Sequence, residues 1–245
     1  MINEEKRERW LQARIGYITA SELEKLGEPG KKIGKTTQSY LYEIQKQRLW
    51  GVPEDPVYSR PMSIGIENEP LALEWLRESN QLIGDIVSCS DDYDDIIFKR
   101  VDWARFGSSP DSFLMIGGNI KALIEVKCVV GVEKNWLFSP TVPYQKKRAS
   151  VFEQHCHQLT GELLSYPEIE TIYLLKYLPQ IDENRFDMDS PLHPRRGILF
   201  EYSRLEFGTM FMKSQRRIEF CDKFIDSGND IDEIEVYRLL EDKEI

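Results

Sequence analysis

Asp111, Glu125 and Lys127 stand within one stretch, FGSSPDSFLMIGGNIKALIEVKC (residues 106–128), and are residue types that can do chemistry together. Apolar runs flank a Gly117-Gly118-Asn119 cluster, the pattern of two strands joined by a hairpin turn. Side chains alternate faces along a strand, so Glu125 and Lys127 share one face while Ile124, Val126 and Cys128 enter the core. Pairing across the turn brings Asp111, on the first strand, to the Glu125 face. Two carboxylates and an ammonium at one end of a sheet suit a hard divalent cation such as Mg²⁺, which prefers oxygen ligands. Such an ion clamps a phosphate oxygen and acidifies a bound water, which Lys127 can orient or help to deprotonate. The same short spacing also fits a solvated surface pair. Here, however, the acids lie inside apolar runs, where an unpaired charge is costly.

Elements on both sides must position these groups. A helix is expected over residues 3–13, with Trp10 and Leu11 on its apolar side. Thr19 and Glu22 have the spacing of a capping box, which starts a second helix at Thr19. The free N–H groups of its first turn, the Ser21 hydroxyl and nearby Arg14 make a phosphate-binding corner, or simply a capped helix with a surface arginine. Segment 27–35 reads as a loop without the order of a nucleotide-binding P-loop. Helices follow over 37–49 and through Ile66, Leu71, Leu73, Trp75 and Leu76. On the latter, Gly65 and Glu69 share a face, so a glycine permitting close backbone approach stands beside an acid aimed at the metal.

Strands are expected at 82–88 and 96–99 around an acidic turn, then the hairpin, a short helix at 134–139 and a helix at 151–165. On that last helix Gln154, Gln158 and Gly161 fall near one stripe and Leu159, Leu163 and Leu164 face inward. Strands at 171–178 and 197–202 precede a final helix, which runs from the Ser203/Glu206 capping box to Gly228. His155, Cys156 and His157 diverge by about 100° per residue on a helix, so they receive no metal role, and His193 has no partners in its loop.

The 245 residues allow one large α/β domain, read as 1–228, with an acidic tail at 229–245 that holds seven acids and two bases. Net charge is −10, which argues against a generic basic DNA-coating protein. Basic clusters at Lys31-Lys32-Lys35, Lys146-Lys147-Arg148, Arg195-Arg196 and Arg216-Arg217 remain compatible with nucleic acid if they line one groove. Four scattered cysteines without a CxxC pair read as reduced thiols. There is no apolar run of membrane-spanning length and no apolar leader, so a cytoplasmic protein without membrane contact is expected.

Taken together, four blocks resemble the phage lambda exonuclease/YqaJ-type recombination nucleases of the PD-(D/E)XK superfamily. They are Trp10-x3-Arg14-x-Gly16-x-Ile18-Thr19-Ala20-Ser21-Glu22, Gly65-x3-Glu69, Ser109-Pro110-Asp111 with Glu125-x-Lys127-Cys128, and a Gln158-bearing helix before a strand ending Tyr177-x-Pro179. They span about residues 10–179 in the family's order. The resemblance implies a restriction-endonuclease-like α/β core, a central mixed sheet flanked by helices. It implies Asp111, Glu125 and the Val126 carbonyl as ligands of Mg²⁺, with Mn²⁺ as substitute, Lys127 as water activator and Glu69 as the helical acid beside the metal-bound water. Arg14, Ser21, Ser109 and Gln158, with Gln154 one turn away as the alternative, correspond to a pocket for a DNA 5′-phosphate. Ser112 replaces the glycine that usually follows the aspartate, and residues after Pro179 match only loosely. The implied activity is a 5′-to-3′ exonuclease on double-stranded DNA ends that leaves 3′ overhangs for single-strand annealing. The family further implies a homotrimer, a single-strand annealing protein as partner, and a bacterial or phage-infected cytoplasm. Two alternatives stand beside it: an endonuclease of the same superfamily, and a non-catalytic DNA-end-binding protein on the same fold.

Overall fold

The computed structural model describes residues 4–27, 34–53, 59–89, 98–129, 133–179 and 197–227. The acidic tail, the acidic turn at 91–95, His193 and the Lys31-Lys32 and Arg195-Arg196 clusters lie outside them. Among the described residues no helix is long and apolar enough to cross a membrane.

The architecture is mixed α/β, with helices flanking two mixed sheets. The larger sheet contains β2 (Asp85–Ser88), β5 (Ser112–Ile116), β6 (Asn119–Cys128), β7 (Thr171–Tyr177) and β8 (Gly197–Ser203), in the order β2-β5-β6-β7-β8. Among the described strands of this sheet, β6 and β7 run parallel and the other neighbours antiparallel. Parallel neighbours need a crossover, supplied here by α4 (Glu133–Leu137) and the long α5 (Tyr144–Ser165). The expected hairpin forms: Gly117 and Gly118 take φ of 58° and 77°, the left-handed pair a two-residue hairpin loop requires.

Its first strand is shorter than the sequence suggests. Phe106–Ser108 forms a separate strand, β4, between β1 (Ile18–Thr19) and β3 (Lys99–Arg100) in a small second sheet. Pro110, which has no N–H to give a ladder, interrupts the run between β4 and β5. Asp111 therefore sits just before β5 rather than within it, at the end of the sheet.

Both faces of the larger sheet are covered, which is why β6 reads as a nearly unbroken apolar run. Ala122, Ile124 and Val126 pack with Leu73 and Leu76 of α3 (Arg60–Glu78). Leu123, Leu174 and Phe200 pack on the other face with Leu159 and Leu163 of α5. The small sheet, the 3-10 helix Ala20–Leu26, α2 (Lys35–Trp50) and α6 (Met210–Asp226) share another core around Ile18, Leu41, Phe106 and Ile218. α5 lies between the two cores, and Gly161 lets it approach closely: a Cβ there would lie 2.8 Å from the Cα of Ala20.

Two expected helices change form. Residues 20–26 make a 3-10 helix, and the Thr19/Glu22 capping box does not close. The Thr19 N–H goes instead to Tyr40 Oη at 3.3 Å, and Glu22 pairs with Lys25. The Ser203/Glu206 box does close, but on a short 3-10 turn, Arg204–Phe207. Gly208 then takes φ of 48°, and α6 begins afresh at Met210.

Candidate active site

The alternation along β6 places Glu125 and Lys127 on the α5 face, and Lys127 Nζ lies 2.7 Å from Glu125 Oε1. Asp111 arrives from the turn just before β5, and its Oδ2 accepts the Val126 N–H at 2.7 Å. Because β5 begins only at Ser112, that amide has no strand partner on this side, and the aspartate side chain satisfies it. The three expected groups thus meet at one end of the sheet. Glu69 approaches from α3, on the other face, and acts electrostatically on both Asp111 and Cys128.

The cluster carries more acid than its one ammonium balances. Burial pushes the Asp111 carboxyl well above its usual range, and the Glu125 and Glu69 carboxylates push it further. Burial lowers the Lys127 pKa, but Glu125 and Asp111 outweigh that and leave it raised, so Lys127 holds its proton here. Glu125 is 3% exposed, and its Oε2 is buried with no hydrogen-bond partner. A buried, unpartnered carboxylate oxygen beside a second carboxylate is a donor set that fits a hard cation. Among the described residues no three His, Cys, Asp or Glu side chains are grouped to hold a metal. The expected ligand set asks only for two carboxylates, Asp111 and Glu125, with the Val126 carbonyl.

Gly65 does not serve a close backbone approach: a Cβ there would meet nothing within 4 Å. It leaves open space one turn before Glu69, and the Cys128 Sγ lies 4.0 Å from its carbonyl oxygen.

A second polar group gathers at the small sheet. Arg14, at the end of α1 (Glu4–Arg14), stacks 3.9 Å over the Trp10 ring and donates to Thr19 Oγ1 at 3.3 Å and Ser21 Oγ at 3.5 Å. Trp10 Nε1 donates to Ser109 Oγ at 3.1 Å. Arg14, Ser21 and Ser109 therefore share one corner, and Ser109 is two residues from Asp111.

Gln158 joins the carboxylates: its Nε2 donates to Glu125 Oε1 at 2.5 Å and to Glu162 Oε1 at 2.9 Å. Gln154 is exposed. Sequence reasoning missed Glu162, which is 1% exposed and has an unpartnered Oε2. Burial, then Glu125 and Asp111, raise its pKa. The available signal was an acid one turn beyond Gln158 inside the run Leu159–Ser165. His155 was also set aside, yet it faces this strand end. Burial and the charges of Lys176 and Lys127 bring its pKa down to about 3.

Among the described residues, three side chains of the basic clusters bond within the chain itself. Lys147 donates to the Ser139 carbonyl, Arg148 binds Glu206 and the Glu201 carbonyl, and Arg217 donates to the Leu26 carbonyl from the interior. Their charge serves packing, because long basic side chains readily satisfy buried carbonyls.

No family model and no curated protein match the chain. Among solved structures it is similar to the alkaline exonuclease LHK-Exo from Laribacter hongkongensis, with 17% identity, a TM-score of 0.58 and 96% and 97% of the two chains covered. LHK-Exo in complex with dAMP gives a TM-score of 0.61 over the same shares. A phage-related exonuclease from Haemophilus somnus 129PT is 16% identical with a TM-score of 0.61, covering 86% of this chain and 94% of that one. What the chain shares with these exonucleases is the fold.

Proposed function

We propose that the chain is a divalent-metal-dependent exodeoxyribonuclease that degrades double-stranded DNA from 5′ ends. The observation that carries this reading is the convergence of Asp111, Glu125 and Lys127 around a buried, unpartnered carboxylate oxygen. Its support is a fold shared with exonucleases, one of which was solved with a mononucleotide. Asp111, Glu125 and the Val126 carbonyl would hold Mg²⁺ or Mn²⁺, and the ion would polarise the scissile phosphate and acidify a water. Glu69, entering from α3, would orient that water. Lys127, protonated and 32% exposed, would neutralise charge building on the phosphoryl oxygens. The attacking water would give its proton to solvent, its oxygen would bond to phosphorus as the bond to the leaving 3′-oxygen breaks, solvent would protonate that oxygen, and a 5′-mononucleotide would depart.

The Arg14, Ser21 and Ser109 corner would bind the terminal 5′-phosphate. A two-residue step between Ser109 and Asp111 spans at most about 7 Å, so a phosphate held there leaves the next linkage beside the carboxylates. The resemblance extends the proposal to a homotrimer and a single-strand annealing partner, which light scattering and pull-down address. The decisive experiment is digestion with Mg²⁺ of 5′-phosphorylated linear duplex, 5′-hydroxyl duplex, single strands and closed circles. Preference for the first substrate with intact circles is expected. Cutting of circles supports an endonuclease instead, and end binding without nucleotide release in Mg²⁺ or Mn²⁺ supports a non-catalytic protein.

A further inference from the structure

Glu162 is a cost to the fold with no obvious structural return. It sits 1% exposed on α5 between the core leucines Leu159 and Leu163, and its Oε2 is buried without a partner. An apolar residue would fill this place without the penalty of a buried carboxylate. Its one described bond to α5 is with Gln158, one turn earlier, where i and i+4 side chains lie side by side.

That bond completes a relay. A primary amide nitrogen carries two hydrogens. One goes to Glu125 Oε1 at 2.5 Å and the other to Glu162 Oε1 at 2.9 Å. Turned over, the amide would set its oxygen against the Glu125 carboxylate, and Glu162 Oε1, by accepting the second hydrogen, holds the end of Gln158 that faces Glu125. Glu125 Oε1 also receives Lys127 Nζ at 2.7 Å. These two contacts on Oε1, with the Glu162 carboxyl directly beside it, hold the carboxylate in one rotation, and Oε2 is the oxygen without a hydrogen-bond partner. Metal ligands elsewhere are held in this way by an outer hydrogen-bonding partner, whose loss typically costs 10–100-fold in metal affinity.

We propose that Glu162 is a positioning residue for the metal carboxylate Glu125, acting through the Gln158 amide. It rests on the metal-centre reading above. The test measures Mn²⁺ affinity of the DNA-free protein by electron paramagnetic resonance, with circular dichroism melting of each variant. Glu162→Met is expected to weaken Mn²⁺ binding about 10–100-fold while the metal-free protein melts no lower than wild type. Glu162→Gln keeps an oxygen that accepts from Gln158, so it should recover part of that loss. In a Gln158→Leu background, adding Glu162→Met should cost less than it does alone, because only the direct contact of Glu162 with Glu125 is left to lose. Unchanged Mn²⁺ affinity in Glu162→Met, equal losses in the Met and Gln variants, or additive losses in the double variant would each overturn the relay. Should Glu162→Met not fold, the Gln variant and its combination with Gln158→Leu give the same comparison. Wild-type protein that binds no Mn²⁺ overturns the metal-centre reading itself, and the relay with it.

Discussion

The carboxylate cluster and the arginine corner lie on either side of one short segment, Ser109-Pro110-Asp111, and are built on opposite principles. In the corner the polar groups answer one another. Arg14 rests on Trp10 and reaches Thr19 and Ser21, and Trp10 holds Ser109. In the cluster they do not. Glu125, Asp111 and Glu162 act on Lys127, Glu69 acts on Asp111, and two carboxylate oxygens are left buried and unpartnered. A site for an anion can be assembled from neutral donors and one cation that are content without it. A site for a dication must concentrate negative charge that the fold alone would reject. The imbalance is therefore the more informative half of the molecule.

The sharpest break in this comparison is Lys127→Ala, which removes the cluster's only balancing cation. Nucleotide release should fall by about 10²–10³ while duplex binding, read by electrophoretic shift, persists. Next, Arg14→Ala should leave turnover on 5′-hydroxyl ends unchanged and remove a preference for 5′-phosphate of about 10-fold or more. Competition between the two ends reads this directly, and an equal loss on both would assign Arg14 to general folding.

Stability should separate the two regions as well. Asp111 and Glu162 have folded pKa values raised above their ordinary 3.8 and 4.5, so the metal-free fold favours their protonated forms. That contribution is complete below those ordinary values and is lost as pH rises through the raised ones. Because His155, with its lowered pKa, contributes the opposite slope, the sign is read by difference: the melting temperature of Glu162→Met relative to wild type, both metal-free, should rise from pH 4 toward neutrality. Mg²⁺ at about 100 times its dissociation constant adds about 2.7 kcal/mol, near 5–10 °C for a chain of this size, and should add more at pH 8 than at pH 5. Smallest in effect is Gly161→Ala, which would set a methyl 2.8 Å from Ala20 and push the 3-10 helix off α5. A loss of about 1–3 kcal/mol, with end preference weakened and Mn²⁺ affinity kept, would show that α5 supports the two regions separately.

The hairpin was legible because both of its signals are local. Gly117-Gly118 encodes the turn, and alternation along 122–128 encodes the faces. The helix periodicities likewise placed α2, α3 and the end of α5 within a few residues of their observed bounds, whereas α5 begins at Tyr144, about two turns before the expected start at 151. Capping boxes were less dependable, since each is a local bond open to competition. Tyr40 took the Thr19 N–H, whereas nothing displaced Glu206 from Ser203. For basic residues, sequence shows a charge but not the carbonyl it meets, and Lys147, Arg148 and Arg217 meet carbonyls of their own chain.

From its own order of residues the chain determined which side chains could share a face, and so brought Glu125 and Lys127 together by strand period alone. Only the tertiary structure decided that Asp111 would cap the Val126 amide, that Gln158 would turn to the carboxylates, and that Glu162 would stand behind it. Those contacts join residues 15 to 33 positions apart or lie on a helix face whose direction depends on what packs there. Periodicity is a property of one element, whereas convergence requires the relative placement of several, which burial of their apolar faces settles.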